Sequence, residues 1–272
     1  MKSFFKHGLL GLLFLLNSLA HSQFHAHGVH ANTAGNNSLL INNAFSALNN
    51  PAYASVSKQT CFALSGSNFY ALRALNQQSI CFNYPIKQSS FMATFSQFGN
   101  KSYVLNQTGL GISHQFNPKL SAGLKTNLNT FKVKTYGETH YFSLELSLFS
   151  QLNSKLSMAF KIDEILSSNR SEGLAKSSIQ TSKWALGYQI DKKVKVLLEL
   201  NKSVEKRPSL NFGVLYGYDT SFQISSGYSN DFNEIGLGLS WKKNKVKLGC
   251  GAILNVLLGI TSTIEISYEF KD

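Results

Sequence analysis

Four histidines near the start of the chain have types and spacing that could bind a metal. They are His21, His25, His27 and His30. Neutral imidazole nitrogens bind Zn, Cu or Ni, so His25, His27 and His30 are candidate ligands. If the chain is cleaved after Ser22, the new amine with His25 at the third place would chelate copper or nickel. A flexible polar tail is the alternative, and we predict no metal and no cofactor.

The three cysteines, Cys61, Cys81 and Cys250, lack the spacing of a metal site. Cys61 and Cys81 flank the first predicted hairpin almost symmetrically, and an exported protein permits a disulfide between them. A slip of one residue in the strand pairing would place the two thiols on opposite faces. We therefore predict a possible Cys61–Cys81 bridge, with free thiols as the alternative. Cys250 continues an apolar stripe and is expected to face lipid.

The sequence contains few residues that could form a catalytic site. Ser113 and His114 are neighbours, and His140 and Ser143 are close, but both pairs differ in parity and would face opposite sides of a strand. The chain contains no G-x-S-x-G, P-loop or H-E-x-x-H motif. We predict that the protein is not an enzyme.

The elements that position these residues repeat with a period of two. From about Lys58 onward, apolar residues alternate with small or polar ones, which is typical of strands with one apolar face. In one segment the alternating apolar residues are Ile235, Leu237, Leu239 and Trp241. Short polar turns alternate with longer connections, and the count gives about 14 strands. This is the pattern of an outer-membrane barrel, with short turns at one rim and longer loops at the other.

A soluble sandwich or lipocalin-like barrel would alternate in the same way. Its outward face would be rich in Lys and Glu, whereas the polar face here is mostly Ser, Gly, Asn, Thr and Gln. Aromatic residues also cluster towards strand ends, as in the interfacial girdles of membrane barrels. We therefore predict an all-β fold, a transmembrane antiparallel β-barrel.

Strand phase assigns a set of charged side chains to the lumen of this barrel. They are Lys125, Glu145, Lys161, Lys195, Glu199, Lys247, Glu265 and Glu269. Such charges pair across strands or line a path. One interpretation is that they only keep the lumen polar and ion-paired. The other is a mildly basic interior that suits anionic or amphipathic cargo.

The composition agrees with a membrane barrel and excludes a disordered chain. Of 272 residues, 43% are hydrophobic and only 15% are charged, with a formal net charge of +12. A soluble domain is roughly 25% charged, and disorder requires few apolar residues. The first acidic residue is Glu138, so the positive charge is concentrated in the first half. In an exported barrel this charge would meet anionic lipid, and we predict no nucleic-acid partner.

The first 22 residues have the organisation of a secretory signal. Lys2 and Lys6 precede a short apolar run, Gly8–Leu16, which is followed by small-x-small cleavage patterns near Ala20. That run is too short to span a bilayer, which takes roughly 20 apolar residues. We predict a signal peptide at 1–22 and export to the bacterial outer membrane.

Residues 23–56 do not alternate and are rich in Ala and Asn. A short helix is expected to end before Asn50-Pro51, because the residue before proline disfavours the helical region. An Ala-rich N-terminal segment that closes on Asn50-Pro51-Ala52 before a barrel of about 14 strands resembles the FadL-type long-chain fatty-acid transporters. It resembles still more the related PorV/PorQ-like outer-membrane proteins of Bacteroidetes. Four early stretches also look like that group: Phe69–Asn76, Phe95–Gly99, Gly109–Ser113 and Leu120–Gly123.

The resemblance implies a hatch at 23–56 that folds into the lumen of a barrel at 57–272. It implies binding or passage of small hydrophobic or amphipathic molecules. PorV-like members of the group are accessory or shuttle proteins of the type IX secretion system, so secreted cargo proteins are the alternative partners. A structural barrel without cargo is the third hypothesis. Outer-membrane lipid is the partner common to all three.

Overall fold

The computed structural model describes residues 26–165, 180–204, 207–217, 221–230 and 232–270. Within these ranges the chain forms 14 strands and three short helices. The strands are β1 (Cys61–Asn68), β2 (Asn76–Ile86), β3 (Ser89–Gly99), β4 (Tyr103–Asn117), β5 (Leu120–Val133), β6 (Gly137–Gln151), β7 (Leu156–Asp163), β8 (Thr181–Gln189), β9 (Val194–Ser203), β10 (Ser209–Tyr216), β11 (Phe222–Ser229), β12 (Glu234–Lys243), β13 (Val246–Asn255) and β14 (Gly259–Glu269).

The strands form a closed barrel in which each pairs antiparallel with its neighbours in the sequence. Closure is made by β1 and β14, where Cys61 lies opposite Glu269 and Asn68 lies opposite Ser262. Because the sheet closes on itself, each of the described strands has a paired neighbour on both sides. The predicted barrel of 14 antiparallel strands is confirmed.

The alternation in the sequence becomes the two faces of the barrel wall. Along β12, Ile235, Leu237, Leu239 and Trp241 are exposed, while the residues between them are buried. The same pattern holds on most other strands, so the exterior is a nearly continuous apolar surface. The interior positions carry Ser, Thr, Asn, Gly and the buried charges. An exterior this apolar is unusual for a protein surrounded by water.

The two rims differ in the length of their connections. The turns after β2, β4 and β12 contain only two residues each, and both β1 and β14 have an end at this same rim. The connections at the other rim include the 3₁₀ turn Phe69–Ala71 and the link between β7 and β8. We call these the short-turn rim and the long-loop rim. The predicted alternation of lengths holds only in part. The connections after β3, β5 and β13 were predicted to be long but contain three residues each, whereas the connection after β10 at the short-turn rim contains five.

Residues 26–56, which we call the enclosed segment, lie within the barrel and are almost entirely buried. They contain α1 (Val29–Thr33), α2 (Ser46–Asn49) and α3 (Pro51–Ala54). Helix α1 packs against β11–β14, α2 against β2 and β3, and α3 against β4–β6. As predicted, one helix ends just before Asn50-Pro51. In the described part of the chain, no helix is sufficiently long and apolar to span a membrane.

Two glycines of the wall allow the enclosed segment to approach closely. A Cβ atom at Gly123 would lie 2.4 Å from the backbone nitrogen of Ala52. One at Gly236 would lie 2.4 Å from the carbonyl oxygen of Thr33. Any side chain at these positions would overlap the segment, so its backbone lies directly on the wall.

Candidate functional site

Two carboxylates of the wall hold the enclosed segment by its backbone. Glu199 on β9 accepts hydrogen bonds from the backbone nitrogens of Ser38, at 2.7 Å, and Leu39, at 3.0 Å. Glu265 on β14 accepts one from the backbone nitrogen of Val29, at 2.7 Å. Hydrogen bonds to an ionised acceptor are about twice as strong as neutral ones. The acids therefore fix the segment at two separate places.

Two lysines complement the acids by donating to carbonyl oxygens of the segment. The Lys195 ammonium lies 2.8 Å from the Leu40 carbonyl oxygen. The Lys125 ammonium lies 3.4 Å from the carbonyl oxygens of both Ala47 and Leu48. The last carbonyls of a helix have no partner within it, and a cation satisfies them. All four charged side chains thus bind backbone groups of the segment.

Two of these charges, Lys125 and Glu199, also form ion pairs with other charged side chains of the wall. Lys125 lies 3.0 Å from Glu145, and Lys161 lies 3.4 Å from Glu145 and 2.8 Å from Asp163. Lys183 approaches Glu199 to 4.0 Å. Buried charges are tolerated only with partners and further hydrogen bonds, and this network supplies both. Of the charged residues assigned to the lumen by strand phase, six are buried: Lys125, Glu145, Lys161, Lys195, Glu199 and Glu265.

The Asn50-Pro51-Ala52 motif docks onto β5 and β6. The Asn50 side chain accepts from the Ala52 nitrogen and donates to the Leu39 carbonyl oxygen at 2.8 Å. The Ala52 nitrogen also donates to the Ser147 hydroxyl at 2.7 Å, and the Ser121 hydroxyl donates to the Ala52 oxygen at 2.8 Å. The asparagine therefore caps α3, whose first residue is proline, and the wall serines bind its first turn.

The structure separates the candidate metal ligands. His27 hydrogen-bonds to the Ser79 hydroxyl at 2.6 Å. His30 lies against the opposite wall, between the hydroxyls of Ser225 at 2.8 Å and Ser240 at 2.6 Å. Burial lowers the pKa of both imidazoles. The described residues contain no group of three His, Cys, Asp or Glu able to hold a metal, and His25 lies outside them.

The predicted disulfide is wrong, because Cys61 and Cys81 are both free thiols. The register places Cys61 opposite Asn83 and Cys81 opposite Ala63, so the two thiols are diagonal neighbours on the same inward face. Diagonal neighbours in an antiparallel pair are about 7–8 Å apart, beyond the usual Cα separation in a disulfide. Cys250 is exposed on the exterior, as expected.

Four aromatic rings line the inside of the wall at the long-loop rim, and we call them the aromatic ladder. They are Phe69, Phe98, Tyr103 and Phe131. Successive centroids lie 5.8, 6.3 and 5.2 Å apart, with interplanar angles of 66°, 87° and 83°. Edge-to-face contacts of this kind stabilise aromatic pairs. The ladder is an apolar surface on the inside of the barrel at the long-loop rim.

Several lumenal residues were missed in the sequence although their parity could have shown them. Lys183 shares the inward face of β8 with Ala185, and Glu234 and Lys242 share that of β12 with Ser240. Phe98, Tyr103 and Phe131 also share the inward face of their strands, which parity in the sequence could have shown. Phe69 lies in the 3₁₀ turn, where alternation gives no direction.

The candidate catalytic pairs are not assembled into a site. Ser113 is buried in the interior, whereas His114 is exposed and lies 2.9 Å from the Ser89 hydroxyl. His140 is exposed and pairs with Glu138 at 3.5 Å.

Solved structures with a similar fold are channels for aromatic hydrocarbons. The Pseudomonas putida toluene transporter TodX has a TM-score of 0.66 and 10% identity, with 90% of this chain and 97% of the transporter covered. The Ralstonia pickettii toluene transporter TbuX has a TM-score of 0.67 and 9% identity, with 91% and 99% covered. The CymD monoaromatic hydrocarbon channel has a TM-score of 0.68 and 10% identity, with 91% and 98% covered.

Identities this low relate the chains by fold alone. No protein-family model and no curated protein matches the chain. The FadL-type barrel implied by the sequence is thus confirmed as a fold. The closer resemblance to PorV/PorQ-like proteins of Bacteroidetes, with its link to type IX secretion, stays a prediction.

Proposed function

We propose that this chain is a bacterial outer-membrane channel that binds and passes small hydrophobic molecules. The observation that carries the proposal is the aromatic ladder, which offers ring faces and edges to a small apolar ligand at one mouth of the barrel. The long-loop rim is then the extracellular mouth, as in other outer-membrane barrels. Toluene transporters share the fold, which makes monoaromatic hydrocarbons the first ligands to test.

The apolar exterior supports placement in a membrane. Leu110, Leu237 and Ile264 expose more than half of their surface at outward positions. In a closed barrel every backbone hydrogen bond is satisfied within the sheet, so the wall is compatible with hydrocarbon. Export by the predicted signal at 1–22 would deliver the chain to the outer membrane.

The enclosed segment is proposed to act as the hatch of the channel. Between the ladder and the short-turn rim it occupies the lumen, and its Tyr53 ring lies 4.4 Å from the Phe149 ring of the wall. Inward Phe149, Leu197 and Leu215 form an apolar cluster with it. A ligand that leaves the ladder would meet these wall residues once the segment moves.

Uptake of labelled toluene by cells that produce the protein tests the ligand class. Phe98→Ala removes the central ring of the ladder and should reduce binding about fivefold, since an aromatic pair contributes about 1 kcal/mol. Phe91→Ala is the matched control, because Phe91 lies on the same strand but is exposed on the exterior. Equal uptake by both variants, or uptake no higher than in cells without the protein, would contradict the proposal.

A reversible crosslink tests the hatch. The Ala52 nitrogen lies 2.7 Å from the Ser147 hydroxyl, so an Ala52→Cys/Ser147→Cys pair joins segment and wall in a background whose native cysteines are serine. Oxidation should block toluene uptake, and reduction should restore it. Uptake that is equal in the oxidised and reduced protein would show that the segment does not need to move.

A further inference from the structure

A cavity of about 350 Å³ lies inside the barrel at the short-turn rim. It is lined by residues at the ends of β12 and β14 and the starts of β1 and β13, together with Asn42 and Asn43 of the enclosed segment. Sites for small molecules span about 300–1,000 Å³. The cavity is therefore large enough for a compact ligand, and that ligand would contact both the wall and the segment.

Two lysines face each other across this cavity. Lys242 on β12 and Lys247 on β13 are direct cross-strand partners, and both line the cavity. Like charges placed directly opposite each other on a sheet are destabilising. The wall keeps this pair at a position where an anion between the two ammonium groups would turn repulsion into attraction.

The protein neutralises the two lysines only in part. Lys242 is paired with Glu269, which also lines the cavity. Lys247 donates to the Gln223 side chain at 2.8 Å, and its nearest carboxylate, Glu265, is 4.0 Å away and outside the lining. The lining thus contains two ammonium groups and one carboxylate, which leaves a net charge of +1.

The remaining lining is suited to hydroxyl groups. It consists largely of serine hydroxyls and of the amides of Asn42, Asn43, Gln59 and Gln223. The buried side-chain nitrogen of Asn43 has no hydrogen-bond partner among the described residues. Hydroxyls and amides both donate and accept, so they match a ligand with several hydroxyls. A hydrocarbon would leave these groups unpaired, at a cost in free energy.

We propose that this cavity binds a small hydroxylated monoanion, such as a sugar acid, with its carboxylate between Lys242 and Lys247 and its hydroxyls on the serines and amides. The site is separate from the aromatic ladder in position and in chemistry, and it goes beyond the hydrocarbon channel proposed above. Because Asn42 and Asn43 form part of the lining, the bound anion would also stabilise the docked position of the enclosed segment.

Calorimetric titration of the full chain in detergent with sodium gluconate tests the site. Saturable binding near one per barrel is expected, with glucose and acetate each at least about tenfold weaker, because a charged hydrogen bond or the neutral hydroxyl contacts would be lost. Lys242→Gln and Lys247→Gln should each weaken gluconate binding at least about tenfold. Lys243→Gln should not, since Lys243 is exposed beside Trp241, with its ammonium 5.9 Å from the ring centroid.

The result that overturns the proposal is a gluconate titration without saturation, or equal weakening by Lys243→Gln. Equal affinity for glucose or acetate would also overturn it. Circular dichroism of each variant shows that a loss of binding comes from a folded barrel. Toluene uptake is scored separately, so failure of the anion site and failure of the hydrocarbon channel are distinguished.

Discussion

The carboxylate of Glu199 should control how firmly the enclosed segment is held. Its side chain is completely buried and accepts from two backbone nitrogens and from the Ser38 hydroxyl at 3.1 Å. Glu199→Gln keeps the shape and removes the charge. One of the two oxygens becomes an NH₂ group, which cannot accept a hydrogen bond. Both backbone N–H groups donate to the same oxygen, Oε2, so with the NH₂ group at the Oε1 position they keep an acceptor, but that acceptor is no longer charged.

The size of the effect follows from these bonds. Hydrogen bonds to a charged group contribute about 1.5–3 kcal/mol, against about 1 kcal/mol for neutral ones. Replacing two charged bonds of about 2.5 kcal/mol with two neutral ones of about 1 kcal/mol should cost about 3 kcal/mol in the docking of the segment. That is about a 150-fold increase in the population with residues 38 and 39 released. Glu199→Gln also removes the ion pair with Lys183, whose ammonium is 4.0 Å from the Glu199 carboxylate. This loss should weaken docking further.

Hydrogen exchange measured by mass spectrometry on the detergent-solubilised protein reads this population directly, because exchange proceeds through local opening. The amides of Ser38 and Leu39 should exchange about 150-fold faster in Glu199→Gln, with no change in the strands of the wall. Glu138→Gln is the matched control, an exposed acid on β6 whose partner Lys132 is 3.6 Å away. Wild-type exchange at both amides in Glu199→Gln would refute the argument.

Three further outcomes are expected. Gly123→Ala should loosen the segment, seen as faster exchange at Ala52, whereas Gly66→Ala should have little effect because its nearest contact would be 3.8 Å away. Burial lowers the pKa of both His27 and His30, so each should weaken docking by up to about 1.4 kcal/mol per pH unit below about 6.5; proteolysis of the segment at pH 7 and pH 5 measures this, and His30→Gln should reduce the difference by the share of one histidine. Leu237→Lys on the exterior should cost about 2–4 kcal/mol in a bilayer and lower the yield of folded barrel in vesicles.

The barrel could be predicted from the sequence because alternation is a local signal that repeats. On β12 one inward residue separates each exposed residue from the next, in the series Ile235, Leu237, Leu239 and Trp241. A wall with two different faces requires this pattern. The inward direction of Lys125 and Glu199 follows from the same phase. Alternation does not predict the distance between residues on different strands. Ion pairs between strands depend on that distance, so they could not be predicted.

The enclosed segment shows this difference most clearly. Asn50-Pro51 predicted the end of a helix, since capping and proline act within a few residues. The contacts of Val29 with Glu265 and of Ser38 with Glu199 join residues that are far apart in the sequence and depend on closure of the barrel. The wrong prediction of a disulfide between Cys61 and Cys81 also comes from a distance that the sequence does not give. The two cysteines are offset by two residues in the pairing of β1 with β2, so they share a face of the sheet but are not opposite each other.

The long sequence separation of these contacts also determines the order in which parts of the molecule fold. The hydrogen bond from Val29 to Glu265 spans 236 residues, and α1 packs against β11–β14, the last strands of the chain. The binding place of α1 therefore does not exist until the C-terminal strands have joined the sheet. Contacts of such long range form slowly, because the entropy of closing the loop must be overcome first. Helix α1 is thus among the last of the described elements to reach its final position.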